Sequence, residues 1–444
     1  MTAEIIVINK GAIALAADSA VTFYSNNEYK IKNANKLFTL SKYQPVGLMV
    51  YGNAEFMGTP WEIIIKQFRE TLGIIEKDSF EEYVQLFLKF LTDYEKMIPE
   101  RQMNVFLNQR VINYYSMMLQ LILERIHTEI NSKCNIQKGR TFITSSEIKQ
   151  IILETINSHL DLWSKSKDSA SVKMDFQEKF FNTYNDAIDE QIDICFEKLP
   201  LTKPNRIKLK KIASLLFTKE MLPGDKSGIV IAGYGKNDIY PTFHQLELHG
   251  VLQGNLQYIV KEIGSILTNG DAGVIAFAQK EEVETFMSGI SPIYDSILRS
   301  FITRITEEMP NVIFDRLESM INPGQIEKAR AEIESIKGVK IARYLDVLDD
   351  YRNENYVQPI LRIVTMLPKD ELAVMAETLV SLTSFKKKVT VGAESVGGPI
   401  DVAVISKGDG FVWIKRKHYF AAELNPQFFN NYNRRVDNGK ENNA

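Results

Sequence analysis

Cysteine is nearly absent from this 444-residue chain, which has only Cys134 and Cys195. Two isolated thiols make neither a disulfide framework nor a zinc site, which fits a reducing compartment. Long hydrophobic runs are missing as well. No apolar stretch approaches the roughly 20 residues that span a bilayer. The opening Met-Thr-Ala-Glu lacks the basic and apolar regions of a signal peptide. A cytoplasmic protein without membrane contact is expected. Net charge is small, −3 from 53 basic and 56 acidic residues. There is thus no basic field for nucleic acid and no acidic tail for a basic partner. Lys208, Lys210 and Lys211 read as a solvated helix face. The histidines His127, His159, His244, His249 and His418 show no metal-ligand spacing. Gly233-Tyr-Gly235 lacks the rest of a nucleotide fingerprint. Neither a metal nor a cofactor is expected.

What is there divides into two textures. Ile5 to Ile8 is a β-branched run, Asn9-Lys10-Gly11 has hairpin-turn chemistry, and Ala12 to Ala17 is a second apolar run ending at Asp18. Short strands are predicted over Lys36 to Leu40 and Val46 to Tyr51, followed by a helix from about Ala54 to Leu72. From about residue 74 to 222 the spacing is helical almost throughout. Strand texture returns at Gly228 to Gly233, Tyr240 to Leu248 and within Tyr258 to Thr268. Gly270 to Phe286 reads as a helix, 291–367 as a second helical stretch, and Lys369 to Phe385 as another helix. A hairpin closes the pattern, Ile400 to Ile405 and Phe411 to Lys415, turned through Lys407-Gly-Asp-Gly410.

Neither β-rich end forms a stable sheet alone. One β core assembled from both ends is the economical arrangement. The core is then 1–73, 223–290 and 368–424. Helical insertions occupy 74–222 and 291–367, and the Asn-rich stretch 425–444 is a disordered polar tail.

The chemistry centres on Thr2. A threonine at a chain terminus carries a hydroxyl nucleophile and an α-amine titrating near 8, so one residue supplies both nucleophile and base. Removal of Met1 would expose it. The stretch from Thr2 through Gly11 to Asp18-Ser-Ala-Val-Thr22 resembles the opening of mature proteasome β subunits and their bacterial HslV-type relatives. The likeness continues in Lys36-Leu-Phe-Thr-Leu, Val46-Gly-Leu-Met-Val-Tyr-Gly-Asn-Ala-Glu55, Gly228-Ile-Val-Ile-Ala-Gly-Tyr234 and Gly397-Gly-Pro-Ile-Asp-Val-Ala-Val-Ile405. These pieces fall in the family's order over roughly 200 residues. The two helical blocks have no counterpart in it.

That resemblance implies an α+β fold, a four-layer αββα N-terminal-nucleophile sandwich with large helical insertions. It implies that Asp18 pairs with the active-site lysine and orients it. The lysine is Lys36, with Lys32 as the alternative because the spacing from Asp18 is longer than usual. It makes the Gly52 amide an oxyanion donor, set where a strand meets a helix N-terminus. Two places depart from the pattern. Gly270-Asp271-Ala272 stands where the family has Gly-Ser-Gly. Ala393-Glu394-Ser395-Val396-Gly397 stands for Asp-x-x-Ser-Gly, with Glu394 or Ser395 as candidates one position out of register. Both bear on catalysis and leave the fold expectation untouched.

The expected activity is threonine-type peptide hydrolysis, on a peptide or unfolded-protein substrate. The family implies a homo-oligomer, usually a ring. Any ATPase partner would be a separate chain, since no nucleotide motif occurs here. Two other functions stay open: an inactive proteasome-like assembly or scaffold protein, and an amidohydrolase acting on a non-peptide amide.

Overall fold

The computed structural model describes residues 3–25, 28–136, 143–169, 172–221, 224, 226–266, 270–317, 322–390, 397–418, 420–427 and 430. β1 (Glu4–Asn9) and β2 (Ile13–Ala17) form the predicted hairpin, with Ile5 opposite Ala16 and Ile8 opposite Ile13. Asn9 sets the turn. Its side-chain oxygen accepts from the Gly11 and Ala12 amides at 2.9 and 3.2 Å, an Asx turn of the kind asparagine favours. A second hairpin that the sequence did not announce follows, β3 (Ala20–Ser25) with β4 (Glu28–Asn33). Next come β5 (Leu37–Thr39) and β6 (Val46–Gly52), close to expectation.

The helix expected from Ala54 starts only at Trp61. A small hairpin, β7 (Glu55–Phe56) and β8 (Thr59–Pro60), precedes α1 (Trp61–Leu72). Met57 and Gly58 at its tip have φ of 51° and 80°, which a right-handed helix cannot pass through. The helical block then runs as α2 (Phe80–Asp93), α3 (Glu100–Ile136), α4 (Ser145–Lys165), α5 (Phe176–Phe196) and α6 (Lys203–Leu215).

β9 (Ser227–Gly233), β10 (Thr242–Leu252) and β11 (Asn255–Ser265) come next. The predicted helix from Gly270 to Phe286 is overturned. It is a strand, β12 (Ala272–Ala276), followed by α7 (Glu281–Ser288). β12 pairs with β1, Ile5 opposite Ala276 and Asn9 opposite Ala272. That long-range ladder, invisible to local periodicity, decides the short apolar run Gly-Val-Ile-Ala in favour of strand. α8 (Pro292–Leu317), α9 (Pro323–Arg352), α10 (Gln358–Met366) and α11 (Lys369–Val389) lead to the closing hairpin of β13 (Asp401–Ser406) and β14 (Gly410–Lys415).

The molecule is a mixed α+β protein with several antiparallel sheets and many helices. One five-stranded sheet has the order β12-β1-β2-β13-β14, so it draws strands from both ends of the chain. A second has the order β11-β10-β9-β6-β5. Side chains alternate across β1. Ile6 and Ile8 join Ile13 and Leu15 in one apolar cluster with Met49, Val230 and Phe243 of the second sheet. Ile5 and Val7 share another cluster with Leu372, Ala376 and Leu379 of α11. Strands covered on both faces read as continuous apolar runs, as β1 and β2 do. On the second sheet, Leu48, Ile229 and Leu246 pack with Ile64 and Phe68 of α1 and with Phe87, Leu107 and Phe180 of the helical block in a single cluster. Among the described residues no helix is long and apolar enough to cross a membrane.

Candidate active site

Asp18 directly follows β2 and is fully buried. Its carboxylate collects hydrogen bonds from four directions. Oδ1 accepts from the Ala3 amide at 3.0 Å and from Lys36 Nζ at 2.8 Å. Oδ2 accepts from the Gly397 amide at 2.9 Å and the Ala20 amide at 3.3 Å. The Asp18 amide in turn donates to the Ala3 carbonyl at 3.1 Å. Four converging donors meet the hydrogen-bonding needs of a buried carboxylate without water. Lys36 is 4% exposed, and its ammonium also donates to the Ala20 carbonyl at 2.5 Å. The start of β1, the end of β2, the approach to β5 and the approach to β13 therefore meet at one carboxylate.

Three further groups complete this surrounding, and the sequence reading missed them. Lys417, beyond β14, reaches Asp401 Oδ2 at 3.2 Å and the Ala34 carbonyl at 2.6 Å, and also donates to Ser19 Oγ. Burial pulls its ammonium below the usual lysine range. Asp401 opposes that shift, and the charge of Lys36 adds to it. Ser19 Oγ donates to the Pro399 carbonyl, and the Ser19 and Ala20 amides donate to the Gly397 carbonyl at 3.2 and 3.0 Å. Lys417 and Ser19 lie 398 positions apart in the chain, so no local pattern could have paired them. The third group is Glu4. It is 1% exposed and its carboxyl has no hydrogen-bond partner among the described residues. It stands one strand step before Ile6, on the face that packs between the sheets. Burial pushes its carboxyl well above the usual range, partly offset by Lys36 and reinforced by Asp18.

The other sequence candidates fall unequally. Gly52 closes β6, two residues beyond Val50, whose amide donates to the Lys36 carbonyl at 2.9 Å. That is about 7 Å along the strand. Its φ is 77°, and a β-carbon there would lie 2.6 Å from the Lys226 carbonyl oxygen, so the position takes only glycine without strain. The helix N-terminus expected beside it is absent. The β7–β8 hairpin separates Gly52 from α1, and a helix dipole acts only over its first turn.

Asp271, which the resemblance puts at the site, does not join the group. It flanks β12 at the Asn9 end of β1, about 20 Å of strand away from Ala3. There it pairs with Lys10 at 2.9 Å, both side chains about half exposed. Thr2 and Glu394 with Ser395 lie outside the described residues, as does the side chain of Lys32. Ala3, next to Thr2, and Gly397, two residues beyond Ser395, both donate their amides to Asp18.

A scan against protein-family profiles matches none, and a search of curated proteins finds no match. A solved structure similar to this chain is Anbu (ancestral beta-subunit) from Yersinia bercovieri. It is 9% identical, with 97% of this chain and 94% of that chain covered and a TM-score of 0.24.

Proposed function

We propose that this chain is a threonine-type N-terminal-nucleophile peptidase, with Thr2 as the nucleophile once the bond before it has been cut. The single observation that carries the reading is the double engagement of Asp18. One carboxylate holds the Lys36 ammonium and the amide of Ala3, the residue to which Thr2 is covalently bonded. A cation beside an amino-terminal threonine lowers the α-amine pKa and favours the ionised hydroxyl. In this reading Thr2 Oγ attacks a peptide carbonyl and its proton passes to the α-amine. The Gly52 amide holds the oxyanion, and the amine then protonates the leaving nitrogen. Water hydrolyses the resulting ester with the same amine as base.

The finer fold belongs to the same proposal. Two five-stranded sheets sharing the Ile6–Met49–Val230 cluster, with helices on their outer clusters, support a four-layer αββα sandwich. A cytoplasmic assembly of several copies, ring-shaped and served by a separate ATPase, completes the reading.

The test combines intact mass with covalent labelling. We expect Thr2 at the amino terminus and one adduct per active chain with a threonine-directed electrophile, absent in Thr2→Ala. An unlabelled chain with Thr2 already exposed would leave only the scaffold reading. Turnover of a peptide library separates peptidase from amidohydrolase, since a pure amidase leaves every peptide intact.

A further inference from the structure

The second helical block carries an apolar face that no other described element covers. α8 and α9 form an antiparallel hairpin, pinned by Asp295 to Arg352 at one end and by Asn311 to Arg330 at the other. Along α8, Ile293, Ile297, Phe301 and Ile305 recur at every fourth position, and α9 carries Ile336, Tyr344, Val347 and Tyr351. All eight lie outside the core, 41 to 62% exposed. Residues three and four apart share a helix face. With the contact between the two helices fixed, that spacing puts all eight on one side of the hairpin. The opposite side presents Ser296, Ser300, Gly338 and Ala342, which are small or polar.

A large side chain carries about 200 Å², so at roughly half exposure the eight leave about 800 Å² of apolar surface in water. The largest such patch on a typical monomer is about 300–600 Å². About 800 Å² is what each partner brings to a stable protein interface. The charges of α9 say which partner fits. Lys340 and Arg343 precede Tyr344, Asp346 and Asp350 follow it, and all four are exposed. A second α9 running antiparallel, with a two-fold axis near Tyr344, lays each basic half along the other's acidic half. A parallel copy in register would set like charge against like.

We propose that this face is a self-docking surface, on which two copies of the chain stack their α8–α9 hairpins antiparallel into a four-helix bundle. A two-fold contact uses the same patch on both copies and needs no second surface. Antiparallel helix pairs packed on each other are the ordinary geometry of such bundles. The block has no counterpart in the family that the sequence resembles, so this contact is separate from any ring implied by the resemblance. It does not rest on the peptidase reading.

Sedimentation equilibrium of the full chain at micromolar concentration tests this. Phe301→Glu with Tyr344→Glu should halve the mass of the assembly, weakening association about 100-fold or more, since central aromatic anchors carry most of an interface's energy. Lys340→Glu with Arg343→Glu, and Asp346→Lys with Asp350→Lys, should each self-associate poorly, and an equimolar mixture of the two should restore the pairing. An unaltered chain that sediments as a monomer overturns the proposal and leaves the face to a different protein. An unchanged mass in the Phe301 and Tyr344 variant overturns it as well, because other contacts would then hold the copies together. A mixture no better than its components overturns the antiparallel pairing. If these variants fail to fold, cross-linking decides. In a Cys134→Ser, Cys195→Ser background, Tyr344→Cys should give a disulfide-linked dimer on mild oxidation, because a residue beside a two-fold axis meets its own copy. Gly338→Cys, on the opposite side, should not. No cross-link at Tyr344→Cys, or equal cross-linking at both positions, overturns the proposal.

Discussion

Two ion pairs sit at opposite ends of β1, with almost the same length and opposite surroundings. Lys36 meets Asp18 at 2.8 Å with side chains 5% and 0% exposed, whereas Lys10 meets Asp271 at 2.9 Å with 48% and 60% exposed. Distance therefore ranks nothing here. At the buried end, each ion loses several kcal/mol of hydration. The loss is offset by the Ala3, Ala20 and Gly397 amides on Asp18 and by the Ala20 carbonyl on Lys36. At the exposed end water and salt screen the attraction, and holding two long side chains together costs entropy. A buried pair is weak support for stability in itself. Its worth lies in fixing four chain segments around one charge.

The strongest way to break this contrast is Lys36→Met. The substitution leaves Asp18 as a buried carboxylate without its cation, a change that costs about 3–5 kcal/mol in comparable cases. The denaturant midpoint should fall accordingly. Labelling at Thr2 should slow by about 10²–10³-fold, the usual effect of losing one preorganised electrostatic partner. A midpoint unmoved by Lys36→Met would mean that water reaches the pair, and the two ends of β1 would then be alike.

Glu4 sharpens the contrast through pH. Burial raises its carboxyl pKa in the folded chain, so above the ordinary carboxylate pKa the folded state keeps a proton that the unfolded state releases. Stability then declines as pH rises, by up to about 1.4 kcal/mol per unit, until the folded pKa is passed. Glu4→Gln keeps the shape without the ionisation. It should remove that slope and stabilise the protein on the alkaline side, while changing little at low pH, where both states hold the proton. Unfolding curves taken across the acid-to-neutral range settle the matter. Parallel pH profiles for the two proteins would place Glu4 in contact with water.

The same contrast explains what could be read from the sequence. The resemblance singles out Asp18 and Lys36, which local pattern alone reads as a turn residue at a strand end and a solvated lysine, whereas the β1–β2 and β13–β14 hairpins carry their own turns. Lys32 was never separable from Lys36 by spacing alone. The β12 strand was not legible, because Ala272 to Ala276 takes its conformation from β1, far away in the chain. Asp271 entered the candidate site through the resemblance at Gly270-Asp271-Ala272, and no local signal shows that the pairing of β12 with β1 holds it beside Lys10. Glu4 precedes the apolar run Ile5 to Ile8, and nothing local indicates that both faces of the strand it joins are covered. Lys417 is the extreme case, a basic residue in a basic run whose partners come from residues 19, 34 and 401.

The smallest expected effect belongs to the exposed end. Lys10→Ala and Asp271→Ala each remove one partner of a pair that water already screens, and neither leaves a buried charge behind. Their unfolding midpoints should match the unsubstituted chain within measurement error, and the rate of Thr2 labelling should not change. The Asp271 substitution is the more informative of the two. At that position the sequence resemblance puts a group of the active site, whereas the strand register puts a solvated turn about 20 Å away. Slowed labelling in Asp271→Ala with an unchanged midpoint would place the residue back in the catalytic group, against the register of β1 and β12. Unchanged labelling there, beside slowed labelling in Lys36→Met, would confine the chemistry to the Ala3 end of the strand.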